Sequence, residues 1–412
     1  MLIVNELRLT FGSFFLFGLL NNILYVIILS AAIDLVGSSM PKAIVLLADV
    51  TPSLAVKLTA PFFVHFIPYY VRLWLLVVMS GLGMLVISLS SQTSIGLKVF
   101  GIALASLSSG LGELTFLQLT HFYKREYSVG GFSSGTGGAG LFGSFLFMLF
   151  TNVFGLNVRG VLLMSSVLPL GFLATFYILL PLPGITEEVI EYESLQSEEI
   201  QQSSIVLDNP KLSMAFIKQH IRNTVTNIRP LIKPYMLPLC SVYICEYVIN
   251  QGVSPTLLFD LKGLPRWLFS SYRDIYVVYG FLYQLGVFIS RSSINFGIRL
   301  RNLYWLSILQ FINLVLTLCQ SIYDLPFPNI WLLMILIFYE GLLGGFLYIN
   351  TFISVSEDVP ISKREFSMGC VSISDSLGVV LAGCFNFWLE IRLCQLQVRR
   401  GRDWCRNGGG LT

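Results

Sequence analysis

Charge is what this 412-residue chain has least of. Asp, Glu, Lys and Arg make up 12% of it, against about 25% in an ordinary soluble domain. A length of 412 residues suggests two or three soluble domains at about 150 residues each. With so little charge, such domains could not cover their own apolar surface, so that organisation is excluded. Histidine is nearly missing, with three residues at 65, 121 and 220, and the seven cysteines contain no C-x-x-C pair. No zinc pattern can be assembled from these, and an odd cysteine count argues against a disulfide framework. There is no N-x-S/T sequon to mark a glycosylated lumenal domain. The net charge of +3 and pI near 8.4 are too small to indicate a nucleic-acid partner.

What is abundant is apolar. Hydrophobic residues reach 55% and the mean hydropathy is +0.74, which together define an all-α integral membrane protein. A crossing helix needs about 20 mainly apolar residues. On that criterion eleven spans are expected, over 10–33, 43–64, 73–92, 97–119, 136–155, 160–180, 235–256, 275–294, 303–321, 329–354 and 367–391. The first is too long for the apolar core of a signal peptide and is read as retained. With the N-terminus cytoplasmic, the cytoplasmic segments hold fourteen Lys and Arg and the opposite side holds six. The tail then adds five arginines on the disfavoured side (392, 399, 400, 402 and 406), so either it is tolerated there or the last stretch does not fully cross.

The chain divides into a six-helix half over 1–180, a connection over 181–234, a five-helix half over 235–393 and a basic tail over 394–412. The connection opens with seven acids and no base between Pro181 and Pro210, the composition of a solvated linker. It then becomes periodic: Met214, Ile217, Ile221, Val225, Ile228 and Ile232 share one helical stripe. Lys218, Arg222, Arg229 and Lys233 each follow that stripe by one residue. This is the pattern of an amphipathic helix at an anionic membrane surface, the alternative being a solvated helix packed on the protein. Pro230 is expected to end or kink it.

Two kinds of residue stand out inside the spans. Gly131, Gly135, Ala139 and Gly143 recur every four residues, the small-residue spacing that lets helix backbones approach closely. With Gly137, Gly138 and Gly140 they are expected to pack helices four and five together, with some unwinding. Gly135 to Gly140 also fits G-x-G-x-x-G loosely, but no strand precedes it, so nucleotide binding is not inferred. The second kind is ionisable. Asp49, Lys57, Glu113, Glu246, Glu340 and Asp375 lie within spans, where a charge costs about 2.5–3.5 kcal/mol on the mildest scale and is usually turned toward a pathway. Their alternative role is to reach the interface near a span end, a reading that fits Glu113 and Asp375 best. Asn21, Asn22 and Asn250 add neutral polar groups in spans one and seven. An Asp49–Lys57 pair is compatible with the spacing but not implied, because Pro52 lies between them. No sequence repeat is visible, although spans one and seven hold corresponding places in the two halves.

Several long motifs resemble the battenin family. They are Gly18-LLNNILYVIILSAA-Ile33, Val45-LLADVTPSLAVKLTAPFFVHF-Ile67, Ser106-LSSGLGELTFLQLTHF-Tyr123 and Ser133-SGTGGA-Gly140 in the first half. The second half adds Glu246-YVIN-Gln251, Glu340-GLLGGFLYINT-Phe352 and Arg364-EFSMGCVSISDSLG-Val379. The resemblance implies a fold related to the major-facilitator and equilibrative-nucleoside carriers, with an N-terminus in the cytoplasm. It also implies a fungal member residing in the vacuole, with roles in vacuolar pH balance and the transport of basic amino acids such as arginine. Export of glycerophosphodiesters is a second activity attached to the family. The chain departs from the animal members in having a basic extension after Leu393 where those end in a prenylation box.

The expected partners are therefore membrane lipids, a small polar substrate and protons, with no cofactor, no metal and no nucleic acid. A transporter is the leading reading. The alternative is a non-transporting regulator acting through the 181–234 connection. An enzyme is not expected, because no nucleophile-and-base set is present.

Overall fold

The computed structural model describes residues 2–31, 43–91, 94–182, 210–266, 268–269 and 272–401. Among these residues the regular structure is entirely helical. In a bilayer this follows from the backbone itself: each N–H and C=O needs a partner within the segment, and a helix supplies one. Seven helical segments are long and apolar enough to cross a membrane: Glu6–Ile28, Tyr69–Leu89, Ile95–Phe122, Val158–Leu179, Leu303–Tyr323, Ile330–Asp358 and Ile361–Arg399. The chain is a multi-pass membrane protein. The remaining expected stretches, over 43–64, 136–155, 235–256 and 275–294, are helical as well.

The first bundle contains α1 (Leu2–Ser30), α2 (Ala43–Thr59), α3 (Tyr69–Leu89), α4 (Ile95–Leu119), α5 (Arg125–Met148) and a broken sixth segment. That segment is α6 (Val158–Ser165) and α7 (Leu170–Ala174), interrupted at Pro169 and ended by a π-turn over Thr175–Leu179. The acidic part of the connection, over 183–209, lies outside the described residues. α8 (Pro210–Leu231) follows, matching the amphipathic stretch read from the sequence. Pro230 closes it, and the chain passes through a π-turn into α9 (Leu237–Tyr247). The second bundle continues with α10 (Tyr272–Arg291), α11 (Leu303–Tyr323), α12 (Ile330–Asp358), α13 (Ile361–Val371) and α14 (Ile373–Arg399).

Packing repeats between the bundles. In the first, α1 lies on α5 and α2 on α4; in the second, α9 lies on α14 and α10 on α12. The bundles then meet through α5 against α10 and α2 against α14. Each contact thus has its counterpart under a two-fold exchange of the halves. The small-residue stripe works differently from expectation. Gly131 and Gly135 receive the Phe11 and Phe15 carbonyls of α1, not α4, and Gly143 meets Ile23 and Val26. The opposite face, at Gly137, Gly138 and Gly140, meets Phe288, Arg291 and Gln284 of α10. α5 is glycine-rich on two sides because it is squeezed between its own bundle and the other one. It also stays helical from Arg125 to Met148 rather than unwinding, since both faces are supported by neighbours.

α14 runs 27 residues to Arg399, about 40 Å at 1.5 Å per residue and so long enough to cross. Arg400 ends 3.7 Å from Asp324, in the turn between α11 and α12. Ahead of α14, Lys363 of α13 donates to Asn227 of α8 at 3.2 Å. The last described residues thus lie at the end of the bundle away from α8; 402–412, with Arg402 and Arg406, lie outside the described residues. Among the described residues Cys240, Cys245, Cys319, Cys370 and Cys384 are free.

Candidate functional site

Lys57 is the centre of the seam between the bundles. Its ammonium reaches Glu113 of α4 at 2.6 Å, Asp375 of α14 at 3.0 Å and the Ser376 hydroxyl at 2.8 Å. Lys57 is 1% exposed, so this is a buried charge cluster rather than a surface pair. It overturns the reading of Glu113 and Asp375 as residues that reach the interface: packing of α2, α4 and α14 turns all three side chains inward. Asp49 does not pair with Lys57. Next to Pro52, Ser53 N–H donates to Ser106 Oγ at 3.0 Å and Ser106 in turn donates to the Asp49 carbonyl. The Asp49 side chain instead borders a cavity with Asn21, Ser108 and Ser109. At about 10 Å³, that cavity is close to the size that holds one water. Asn21 donates to the Ser109 carbonyl at 3.1 Å. Asn22 is half-buried and joins none of these groups.

Arg291 of α10 occupies the same place in the second bundle. It bonds the Thr136 hydroxyl of α5 at 2.7 Å and the Tyr243 hydroxyl of α9 at 2.8 Å, and its guanidinium lies 4.0 Å from the Tyr348 ring centre. Tyr348 also donates to Glu113 at 3.1 Å, linking the two cations through one side chain. Arg291 is one of the fourteen Lys and Arg counted to the cytoplasmic side, although it falls within the expected span 275–294. A lone arginine inside a span was the signal for it. Tyr243, Tyr283, Tyr348 and Ser376 carried no signal of their own, since tyrosine and serine are unremarkable in a span.

The correspondence between halves can be fixed residue by residue. A Cβ on Gly110 would fall 2.8 Å from the Ser53 carbonyl oxygen, and one on Gly345 would fall 2.8 Å from that of Val287. A Cβ on Gly378 would meet the Cys240 carbonyl and Ile244 N, just as one on Gly135 meets the Phe15 carbonyl and Leu19 N. In these registers Lys57 matches Arg291, Asp49 matches Tyr283, Glu113 matches Tyr348 and Asn21 matches Glu246. The repeat invisible in the sequence is therefore present in the packing. Its chemistry has diverged: the first bundle pairs its cation with carboxylates, the second surrounds its cation with hydroxyls and a ring.

Glu246, Asn250 and Glu340 form a separate group within the second bundle. Tyr283 donates to Glu246, and Asn250 donates to Glu340 at 2.9 Å. Asn250 sits in a π-turn over Val248–Val253, a distortion that recurs at functional positions.

On the connection side, a cavity of about 430 Å³ opens between α4, α5, α12 and α13, lined by His121, Lys124, Arg125 and Arg364 among others. The bundles are tied around it by Arg125 to Glu357 at 3.6 Å and Tyr69 to Glu365 at 2.6 Å. Lys218, Arg222 and Arg229 are exposed along α8, and Lys233 is exposed in the π-turn that follows it.

The fold is shared with solved transporters. The major facilitator superfamily proton:xylose symporter XylE aligns with a TM-score of 0.56 over 99% of this chain and 94% of its own, at 12% identity. The human organic anion transporter MFSD10 aligns with a TM-score of 0.58 over 98% of this chain and 97% of its own, at 13% identity. Sequence relatives lie much nearer. Protein BTN1 of Candida albicans is 64% identical and Protein BTN1 of Debaryomyces hansenii is likewise 64% identical, the alignments covering 100% and 99% of both chains respectively. Protein BTN1 of Saccharomyces cerevisiae is 48% identical over 95% of this chain and 97% of its own. The CLN3 protein family matches residues 12–396. The chain belongs to the CLN3, or battenin, family and stands among its fungal members.

Proposed function

We propose that this protein is a secondary transporter of the vacuolar membrane, with its N-terminus and the 181–234 connection in the cytoplasm. It moves a basic amino acid such as arginine by alternating access and so contributes to vacuolar pH homeostasis. The observation that carries this reading is the buried charge set at the seam: Lys57 against Glu113 and Asp375, and Arg291 beside it without a carboxylate in ion-pair distance among the described residues. Charges of both signs at a seam of two bundles suit a zwitterionic or cationic guest. A guanidinium forms paired hydrogen bonds with a carboxylate, so Arg291 is assigned the substrate's α-carboxylate. The cationic end competes with Lys57 for Glu113 and Asp375. Exchange of that partner loosens the tie between α2 and α14 and gives substrate binding a different free energy in the two states, which any ligand-driven change requires.

Uptake of labelled arginine by the purified protein in proteoliposomes, with and without a pH gradient, tests this. We expect saturable uptake that is strongly reduced in Arg291→Lys and Glu113→Gln at unchanged protein abundance. Vesicles that accumulate no arginine under either condition remove the basic amino acid as substrate. A second reading, export of glycerophosphodiesters, is favoured by the same unpaired Arg291, because guanidinium also matches phosphate oxygens. Vesicles preloaded with glycerophosphocholine distinguish the two. A non-transporting regulator would instead tolerate both substitutions and fail on deletion of residues 186–233.

A further inference from the structure

Two carboxylates in the second bundle take no part in the seam cluster. Glu246 on α9 is 3% exposed and Glu340 on α12 is 0% exposed. Glu246 lies over Gly344, where a Cβ would come 2.7 Å from its Oε2, while Asn250 reaches Glu340 at 2.9 Å. The pairs 246 with 344 and 250 with 340 put the helices antiparallel and the two acids one turn apart. Each acid has one oxygen satisfied, by the Tyr283 hydroxyl and the Asn250 amide respectively. The Oε2 atom of each is buried with no hydrogen-bond partner among the described residues. Neither acid has a basic nitrogen within ion-pair distance among the described residues. On α11, which packs against α9 and α12, Gln310 and Asn313 are also buried, and all four of their amide atoms lack a partner.

We propose that Glu246 and Glu340 form the proton-binding site of this carrier, contained in the second bundle and separate from the substrate seam. The inference rests on the transporter reading above. A carboxylate oxygen buried without a donor is costly while charged and is relieved when the group takes a proton. Two such oxygens one turn apart compound the cost through like-charge repulsion. The occupant is a proton rather than a metal cation, because a metal needs several oxygen acceptors around it. Tyr283 and Asn250 present donors here. The step itself is simple: one proton converts a carboxylate to a carboxylic acid, and its release on the other side restores the carboxylate.

The surroundings fit a single exchangeable charge. Cys245 of α9 and Tyr283 of α10 lie in electrostatic range of both acids, and Tyr243, Tyr247 and Arg291 in range of Glu246. Asp375 of α14 acts on Tyr243 and Tyr247 from the seam. The buried polar groups of α5 and α11, among them Thr136, Gln310 and Asn313, do not ionise. Gaining one proton therefore removes one of the pair's two buried negative charges, and losing it restores that charge.

Infrared difference spectra of the full-length protein in liposomes, taken between two pH values, read this directly. We expect a carbonyl stretch of a buried carboxylic acid that titrates in the wild type and is lost in Glu340→Gln and in Glu246→Gln. If a Gln variant does not fold, Glu340→Asp must shift the band. In proteoliposomes, Glu340→Gln is expected to retain arginine counterflow at equal pH and to lose accumulation driven by a pH gradient. The proposal is overturned if the wild type has no such band, if the band survives both Gln variants, or if Glu340→Gln still accumulates arginine against the gradient. A titrating band in a protein that moves no arginine would leave the proton site standing and refute only the amino-acid reading.

Discussion

Lys57 and Asp375 are 318 residues apart in sequence, yet the ammonium and carboxylate meet at 3.0 Å in the interior. With Glu113 on the other side of Lys57 at 2.6 Å, one cation joins two helices of the first bundle to one of the second.

Removing the cation should therefore be costly. Lys57→Met leaves two buried acids facing each other, and breaking a buried pair this way costs about 3–5 kcal/mol. We expect a clearly lower thermal midpoint for the purified protein, followed by intrinsic fluorescence. The triple variant Lys57→Met, Glu113→Gln, Asp375→Asn should recover most of that loss, because no unpaired charge then remains. Equal stability of the single variant and the wild type would contradict the buried cluster.

Gly135 tests the packing of α5 on α1. A Cβ there would collide with the Phe15 carbonyl and approach Leu19 N to 2.9 Å, both backbone atoms that cannot turn aside. Gly135→Ala is expected to destabilise by about 1–3 kcal/mol, the usual range for overpacking. Gly12, on the same α1, has nothing within 4 Å of its Cβ position. Gly12→Ala should be neutral or stabilise by roughly 0.5–1 kcal/mol through helix propensity. Parallel thermal melts compare the two, and the ordering of the variants is the check.

The surface helix gives a salt-dependent expectation. In α8, Ile221 and Val225 are 45% and 54% exposed beside the exposed Lys218 and Arg222. A 211–233 peptide should partition into anionic vesicles, and changing Lys218, Arg222, Arg229 and Lys233 to Gln should remove about 1 kcal/mol for each charge. Raising the salt should mimic the substitution, since the screening length falls to about 3 Å at 1 M. A native peptide indifferent to lipid charge would make α8 a helix that simply packs on the protein.

Topology can be read with tags. On the proposed vacuolar location, a tag after residue 401 and one within 183–209 are expected on opposite faces of the intact membrane. Protease added from outside should remove only the second. Cleavage of both would mean that α14 does not end beside Asp324.

Because a bilayer leaves the backbone no other regular solution than a helix or a closed barrel, apolar runs between short polar turns were enough to find the helical stretches, though not the breaks between α6 and α7 or between α13 and α14. α8 was legible for a related reason: its 3.6-residue apolar period and the basic residues beside it are local properties. Lys57, Glu113, Glu246, Glu340 and Asp375 were legible as candidates because a charge in an apolar run is conspicuous without knowledge of any partner. Their partners were another matter. That Lys57 meets Asp375 and not Asp49, that the glycines of α5 face α1 and α10 and not α4, and that Arg291 lies opposite Lys57 are all consequences of which helices pack together. Those contacts join residues far apart in sequence, and their energy comes from close backbone approach and matched polar groups. A period within one helix carries no trace of them. The two-fold relation between the halves was hidden for the same reason: its register is kept by backbone contacts at glycines, while the side chains at matching positions have taken different chemistry.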